Sequence, residues 1–223
     1  MHNGPQRALA EFAGTAALTA TVVGSGIMAE RLASGNVAIA LLANTAATAA
    51  GLLVLIRLLA PISGAHFNPV VTLTETSARR LLPSVALLYI FAQSLGAIVG
   101  ALIANAMFDL TVLQISTKLR TSPGSLLSEV IATAGLLLVI RRSGASVVAT
   151  HVALYIAAAY WFTASTSFAN PAVTVGRIFT DTFAGIAPAS AAAFIPAQII
   201  GALLGILFHK LLAQQPTPEN NAP

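Results

Sequence analysis

Two short stretches carry the residues able to do chemistry in this chain. One is Ser-Gly-Ala-His-Phe-Asn-Pro-Val-Val-Thr at 63–72, and the other is Ser-Phe-Ala-Asn-Pro-Ala-Val-Thr at 167–174. In each, an asparagine precedes a proline and a small apolar residue. The side-chain oxygen of Asn68 or Asn170 can cap a helix N-terminus, and Pro69 or Pro171 suits the first helical position, where no N–H is required. Each stretch therefore predicts a break in apolar structure followed by a short helix. Val70 and Ala172 complete the two motifs.

The surroundings say where such breaks can sit. Of 223 residues, 57% are hydrophobic and only 8% are charged, against roughly 25% charged residues in a soluble domain. The chain reads as an integral membrane protein whose partner is the lipid bilayer, with room for six or seven passes of about 20 apolar residues each. Broken backbone at membrane depth is tolerated only where protein or a water-filled cavity surrounds it. Paired breaks in corresponding halves point to a site near the midplane. The absence of cysteine excludes disulfides and thiolate chemistry. A net charge of +4 without a clustered basic face gives no support for nucleic-acid binding. No cofactor or metal site is expected.

Six long helices are predicted, over 8–29, 36–59, 83–107, 125–142, 147–163 and 189–212. Two short helices run from the Asn-Pro sites to about Ser77 and Phe179. The second long helix is expected to stop before Pro61, because proline removes a donor and disfavours helix in the residue before it. The first, with Arg7 before it, is too long for a signal peptide and has Glu11 inside it. The Gln/Pro/Asn-rich residues 214–223 read as a disordered tail.

An internal repeat sets the architecture. Ala92-Gln93-Ser94-Leu95-Gly96 with Gly100 matches Ala197-Gln198-Ile199-Ile200-Gly201 with Gly205, an offset of 105 residues; Asn68 to Asn170 is an offset of 102, and Glu11 to Glu129 one of 118. Repeat one spans about 7–107 and repeat two about 125–212, together one transmembrane domain over 1–213. Three passes per repeat make the two halves insert in opposite senses, so the half-helices enter from opposite faces. The Gly-x-x-x-Gly pairs read as close-packing faces. With both termini cytoplasmic, the inner segments carry seven Lys and Arg residues against four outside, as the positive-inside rule prefers.

Three buried titratable groups leave alternatives open. Glu11 and Glu129, inside helices, could relay protons in a coupled transporter or hydrogen-bond the unwound backbone before each half-helix. His66 could be a proton or metal group, or it could fix the carbonyls of its loop and line a vestibule. Tyr160, Trp161, Phe162 and Phe168 cluster at the end of the fifth long helix and read as an interfacial aromatic belt, with Phe168 near a pore mouth. Arg177 reads either as vestibule charge or as a surface arginine near Asp181.

The inverted repeat, the Asn-Pro-Val and Asn-Pro-Ala motifs, the two early-helix glutamates and the Ala-Gln-x-x-Gly repeats together resemble the aquaporin, or major intrinsic protein, family over about residues 7–212. Within it, the stretches around Asn68 and Asn170 are similar to the bacterial AqpS group, associated with arsenic resistance. The resemblance implies an all-α membrane protein with six transmembrane helices and two half-helices meeting at the midplane. It also implies a homotetramer in the cell (inner) membrane, passing small neutral solutes and water passively, with Glu11 and Glu129 supporting the loops. Most members carry an arginine after the second Asn-Pro-Ala, where this chain has Val173. Counting from the motifs transfers the filter to Thr48, Ala158, Ser167 and Val173, a small and weakly polar ring. It implies passage of bulky uncharged solutes, arsenous acid and methylated arsenicals among them, besides glycerol and water. An ordinary aquaglyceroporin or water channel is the alternative. An ion-coupled secondary transporter is the rival of another class, and no nucleophile–base or His-x-x-x-His arrangement suggests an enzyme.

Overall fold

In the computed structural model, which describes residues 4–213, helices begin where the local chemistry permits. They are α1 (Gly4–Leu32), α2 (Val37–Ser63), α3 (Pro69–Ser77), α4 (Pro83–Met107), α5 (Pro123–Arg142), α6 (Val148–Phe162), α7 (Pro171–Gly176), a 3₁₀ turn (Arg177–Phe179) and α8 (Pro188–Ala213). Proline opens α3, α4, α5, α7 and α8, at positions where its missing N–H costs nothing. Asn36 caps α2 by accepting from the Ile39 amide at 3.2 Å, and Ser122 and Ser125 cap α5 reciprocally. No strand occurs among the described residues. The predicted tail at 214–223 lies outside them.

Five of these helices are long and apolar enough to cross a bilayer, and the 15-residue α6 is apolar but shorter. Their outward faces carry bare large side chains such as Leu42, Leu58, Phe91, Leu203 and Phe208. In water such a surface would aggregate; in lipid it is the required exterior. This is a multi-pass membrane protein.

Two differences from expectation concern α1 and α2. The first helix starts at Gly4, because Pro5 sits in the first turn, where proline is tolerated. The second runs through Pro61 to Ser63. Only one hydrogen bond is lost, that to the Arg57 carbonyl, and Gly64 closes the helix in a left-handed conformation with its amide on the Ala60 carbonyl at 3.0 Å.

The repeat is written into the packing. In the first half α1 lies against α4 and α2; in the second, α5 lies against α8 and α6. The half-helix α7 packs mainly on α4, from the other repeat. Glycines permit the closest approaches. A Cβ at Gly96 or Gly100 would overlap the Phe12 or Ala16 carbonyl of α1, and one at Gly201 or Gly205 the Val130 or Ala134 carbonyl of α5. Because the obstacle is backbone, no side chain can yield. Gly100→Ala should therefore destabilise the protein by about 1–3 kcal/mol, as overpacking does, read as a lowered thermal midpoint in detergent.

At one end of the bundle, two loops are tied by Asp181. Its carboxylate accepts from the Thr117 amide at 2.9 Å and from the Thr117 and Ser116 hydroxyls. The amide bond, first among these, holds the carboxyl below its ordinary value of 3.8. A depressed folded value means that the tie stabilises above the unfolded value and weakens as pH falls through the folded one. Hydrogen-exchange protection of the Thr117 amide should thus hold at neutral pH and decline only below 3.8.

Candidate solute passage

Before each half-helix the backbone follows the same unusual course. Ala65 and Phe67 in the first loop, and Ser167 and Ala169 in the second, have φ between 46° and 51°. These pairs are equivalent under the 102-residue offset. Side-chain-bearing residues in this region each store on the order of 1–3 kcal/mol, so something must hold them. The two buried glutamates do so. Glu11 accepts from the amides of His66 (3.0 Å) and Phe67 (2.7 Å), the Ser63 hydroxyl (2.6 Å) and Gln93 Nε2 (2.8 Å). Glu129 accepts from the amides of Phe168 and Ala169, each at 2.9 Å, and from Gln198 Nε2 at 2.6 Å. Both oxygens of each carboxylate are thereby committed to the loops.

The glutamines were not assigned this part from sequence, although the Ala-Gln-x-x-Gly repeat marked them. Gln93 also donates to the Thr72 hydroxyl and Gln198 to that of Thr174, both at 2.9 Å. Each glutamine therefore ties a carboxylate to the half-helix that its loop leads into. His66 lines the cavity, but its Nδ1 lies 3.0 Å from the Thr72 hydroxyl and not on a loop carbonyl, and its ring meets Tyr89 edge-on. Among the described residues no group of three His, Cys, Asp or Glu could hold a metal.

The asparagines join the halves. Asn68 Oδ1 accepts from the Val70 amide, and Asn170 Oδ1 from those of Ala172 and Val173. Each Nδ2 then crosses the midplane, Asn68 to the Ala169 carbonyl and Asn170 to that of Phe67, at 2.8 Å in both cases. One amide hydrogen of each is spent on this link, and the second remains for the lumen. Two helix N-termini, each equivalent to about half a positive charge, meet here.

A cavity of about 460 Å³ runs past both asparagines, from Glu75, Ile140 and Ser143 at one end to Tyr160, Phe168 and Arg177 at the other. One wall is polar: the loops 64–68 and 167–170. The facing wall is aliphatic, from Leu18, Val22, Leu52, Ile56, Leu136, Val152 and Ile156. Such a lining strips water cheaply from a solute's carbon face while offering hydrogen bonds to its hydroxyls.

Three of the four residues transferred as a filter, Thr48, Ser167 and Val173, line this cavity; Ala158 does not. It is exposed on the outer face of α6. The cavity face of α6 is Val148, Val152, Ile156 and Tyr160, at four-residue spacing, and Ala158 lies two residues out of phase. On α6 it is Tyr160 that lines the cavity at this end, its hydroxyl 3.4 Å from the Thr48 hydroxyl. The cavity lining near Thr48 therefore includes an aromatic side chain. The aromatic cluster divides accordingly: Trp161 and Phe162 face outward, as a belt would, whereas Tyr160 and Phe168 line the cavity. Ser167 Oγ is buried without a partner. Arg177 is buried against the cavity and is not a surface residue.

The profile of the Major intrinsic protein family matches residues 3–145, and Aquaglyceroporin AqpS of Rhizobium meliloti (strain 1021) is 48% identical over 216 residues, 96% of this chain and 92% of that one. This chain belongs to the major intrinsic protein family. Another relative, Aquaporin-3 of Milnesium tardigradum, is 40% identical over 110 residues, 47% of this chain and 34% of its own. The X-ray structure of the aquaglyceroporin from Plasmodium falciparum superposes with a TM-score of 0.68, covering 95% of this chain and 96% of that one at 24% identity. That likeness concerns the fold, all-helical with two opposed half-helices. Major intrinsic proteins are channels and not enzymes, so the buried glutamates are to be understood as architecture around a passage.

Proposed function

We propose that the protein is a passive channel for small uncharged hydroxylated solutes: water, glycerol, arsenous acid and methylated arsenicals. The observation that carries this reading is the single cavity past Asn68 and Asn170, with one polar and one aliphatic wall. A trihydroxylated solute such as glycerol or arsenous acid can satisfy its hydroxyls on the first wall while sliding along the second. The proposed constriction is Thr48, Tyr160, Ser167 and Val173. Val173 replaces a charged, extended side chain with a short apolar one, which supports a range reaching beyond water. The AqpS relative, named an aquaglyceroporin, supports glycerol as a substrate. Both termini cytoplasmic, insertion in the inner membrane and assembly as a homotetramer complete the reading.

The approach of Tyr160 to Thr48 favours a second reading, in which the ring stops solutes wider than glycerol. Swelling of proteoliposomes in polyols of increasing size, with uptake of arsenous and methylated arsenous acids measured alongside, tests both. Entry of methylated arsenicals at a rate near that of glycerol supports the wider range. A cut-off at glycerol supports the narrower one. Accumulation against a gradient would refute passive conduction altogether.

A further inference from the structure

Arg177 is 4% exposed and lines the cavity, yet it makes no salt bridge among the described residues. Arg141, another arginine whose side chain is largely buried, is neutralised by Glu75 at 3.0 Å. Arg177 is held differently. Its Nε donates to the Ala184 carbonyl, and its guanidinium carbon stands 3.4 Å from the centroid of the Phe168 ring. No hydrogen bond to protein is made by its terminal nitrogens among the described residues. Arg120 lies over the same ring at 5.5 Å, but its Nε and Nη2 are consumed by the carbonyls of Gly185 and Phe183, each at 2.7 Å. Of these two guanidiniums only that of Arg177 lines the cavity, with its terminal nitrogens free to donate into it.

We infer that Arg177 is the charge-selecting residue of the passage, excluding cations where Val173 cannot. The inference rests on the channel reading above. A fixed positive charge in a confined, water-poor lumen acts on a passing ion far more strongly than it would in bulk water. The face of Phe168 accommodates the cation and keeps it flat along the wall, so charge is supplied without the long side chain crossing the lumen. Exclusion of cations is thereby separated from exclusion by size: the arginine sits one helical turn beyond the ring, and the ring itself stays uncharged. Neutral solutes gain donors, and cations meet a barrier.

The chain contains no cysteine, so a single introduced thiol is unique and can be recharged chemically. The test compares wild type, Arg177→Cys and Arg177→Lys in proteoliposomes, reading glycerol flux and sodium conductance on the same preparations. Wild type should conduct glycerol and exclude sodium. Arg177→Cys should conduct glycerol and admit sodium on the order of tenfold more readily. Coupling an aminoethyl group to the thiol should restore exclusion, whereas a neutral alkyl group of similar size should not. A sodium-tight Arg177→Cys overturns the inference, as does equal rescue by the neutral group, which would make the effect steric. Should the cysteine variant fail to assemble, Arg177→Lys decides: exclusion supports the charge role, and leakage refutes it. A wild type conducting neither glycerol nor water would instead overturn the channel reading beneath it.

Discussion

Glu11→Ala is expected to abolish glycerol flux and to lower markedly the yield of folded protein. Four donors converge on this buried carboxylate: two backbone amides, the Ser63 hydroxyl and Gln93. Hydrogen bonds to a charged group contribute about 1.5–3 kcal/mol each, and each buried donor left without an acceptor costs about 1–3 kcal/mol. The loss falls on the loop least able to bear it, since Ala65 and Phe67 already sit at positive φ. Without the carboxylate, the Phe67 carbonyl that receives Asn170 is no longer fixed, so damage in one repeat reaches the other half-helix. Glutamine is a poor substitute for a specific reason. Oε1 and Oε2 each face two donors, so an amide nitrogen on either side meets N–H or O–H groups head-on. Glu11→Gln should retain some flux yet show reduced thermal stability. Undiminished conduction by Glu11→Ala at normal yield would show that the loop holds its course unaided.

The sequence made the frame readable because its rules there are local or repeated. An asparagine before proline marks a half-helix start whatever surrounds it, and the glycine pairs at 96/100 and 201/205 announce themselves by recurring. Tyr160 was hidden by arithmetic. Counting back from Asn170 crosses the irregular segment 163–169, where Thr166, Ser167 and Ala169 have positive φ and helical phase is lost. Phase taken within α6, from Val148 through Val152 and Ile156, points to Tyr160 without using the loop. Arg177 was ambiguous for another reason. Its placement depends on tertiary partners, the Ala184 carbonyl and the Phe168 ring, and no one-dimensional pattern names them. Pro61 misled because the rule against proline in helices weakens in the last turn, where a single carbonyl is freed.

Val173→Arg should reduce flux of glycerol and larger solutes by about tenfold or more, an added barrier of about 1.4 kcal/mol, with water affected less. Val173 is buried in the cavity wall beside Ser167, and its carbonyl accepts the Arg177 amide one turn on. A long side chain there extends into the cavity that Val173 lines together with Tyr160 and Thr48. It would also set a second guanidinium near Arg177 with no carboxylate lining that end of the cavity, and repulsion would push it further across the opening. Val173→Leu separates the two causes, adding bulk without charge. If leucine and arginine lower glycerol flux equally, width alone governs the ring; if only arginine does, the charge and its hydration shell are responsible. Stopped-flow light scattering of vesicles in glycerol and in plain osmolyte gives both rates from one preparation. Full retention of glycerol flux by Val173→Arg would move the constriction away from this ring, and the wide-solute reading would lose its physical basis.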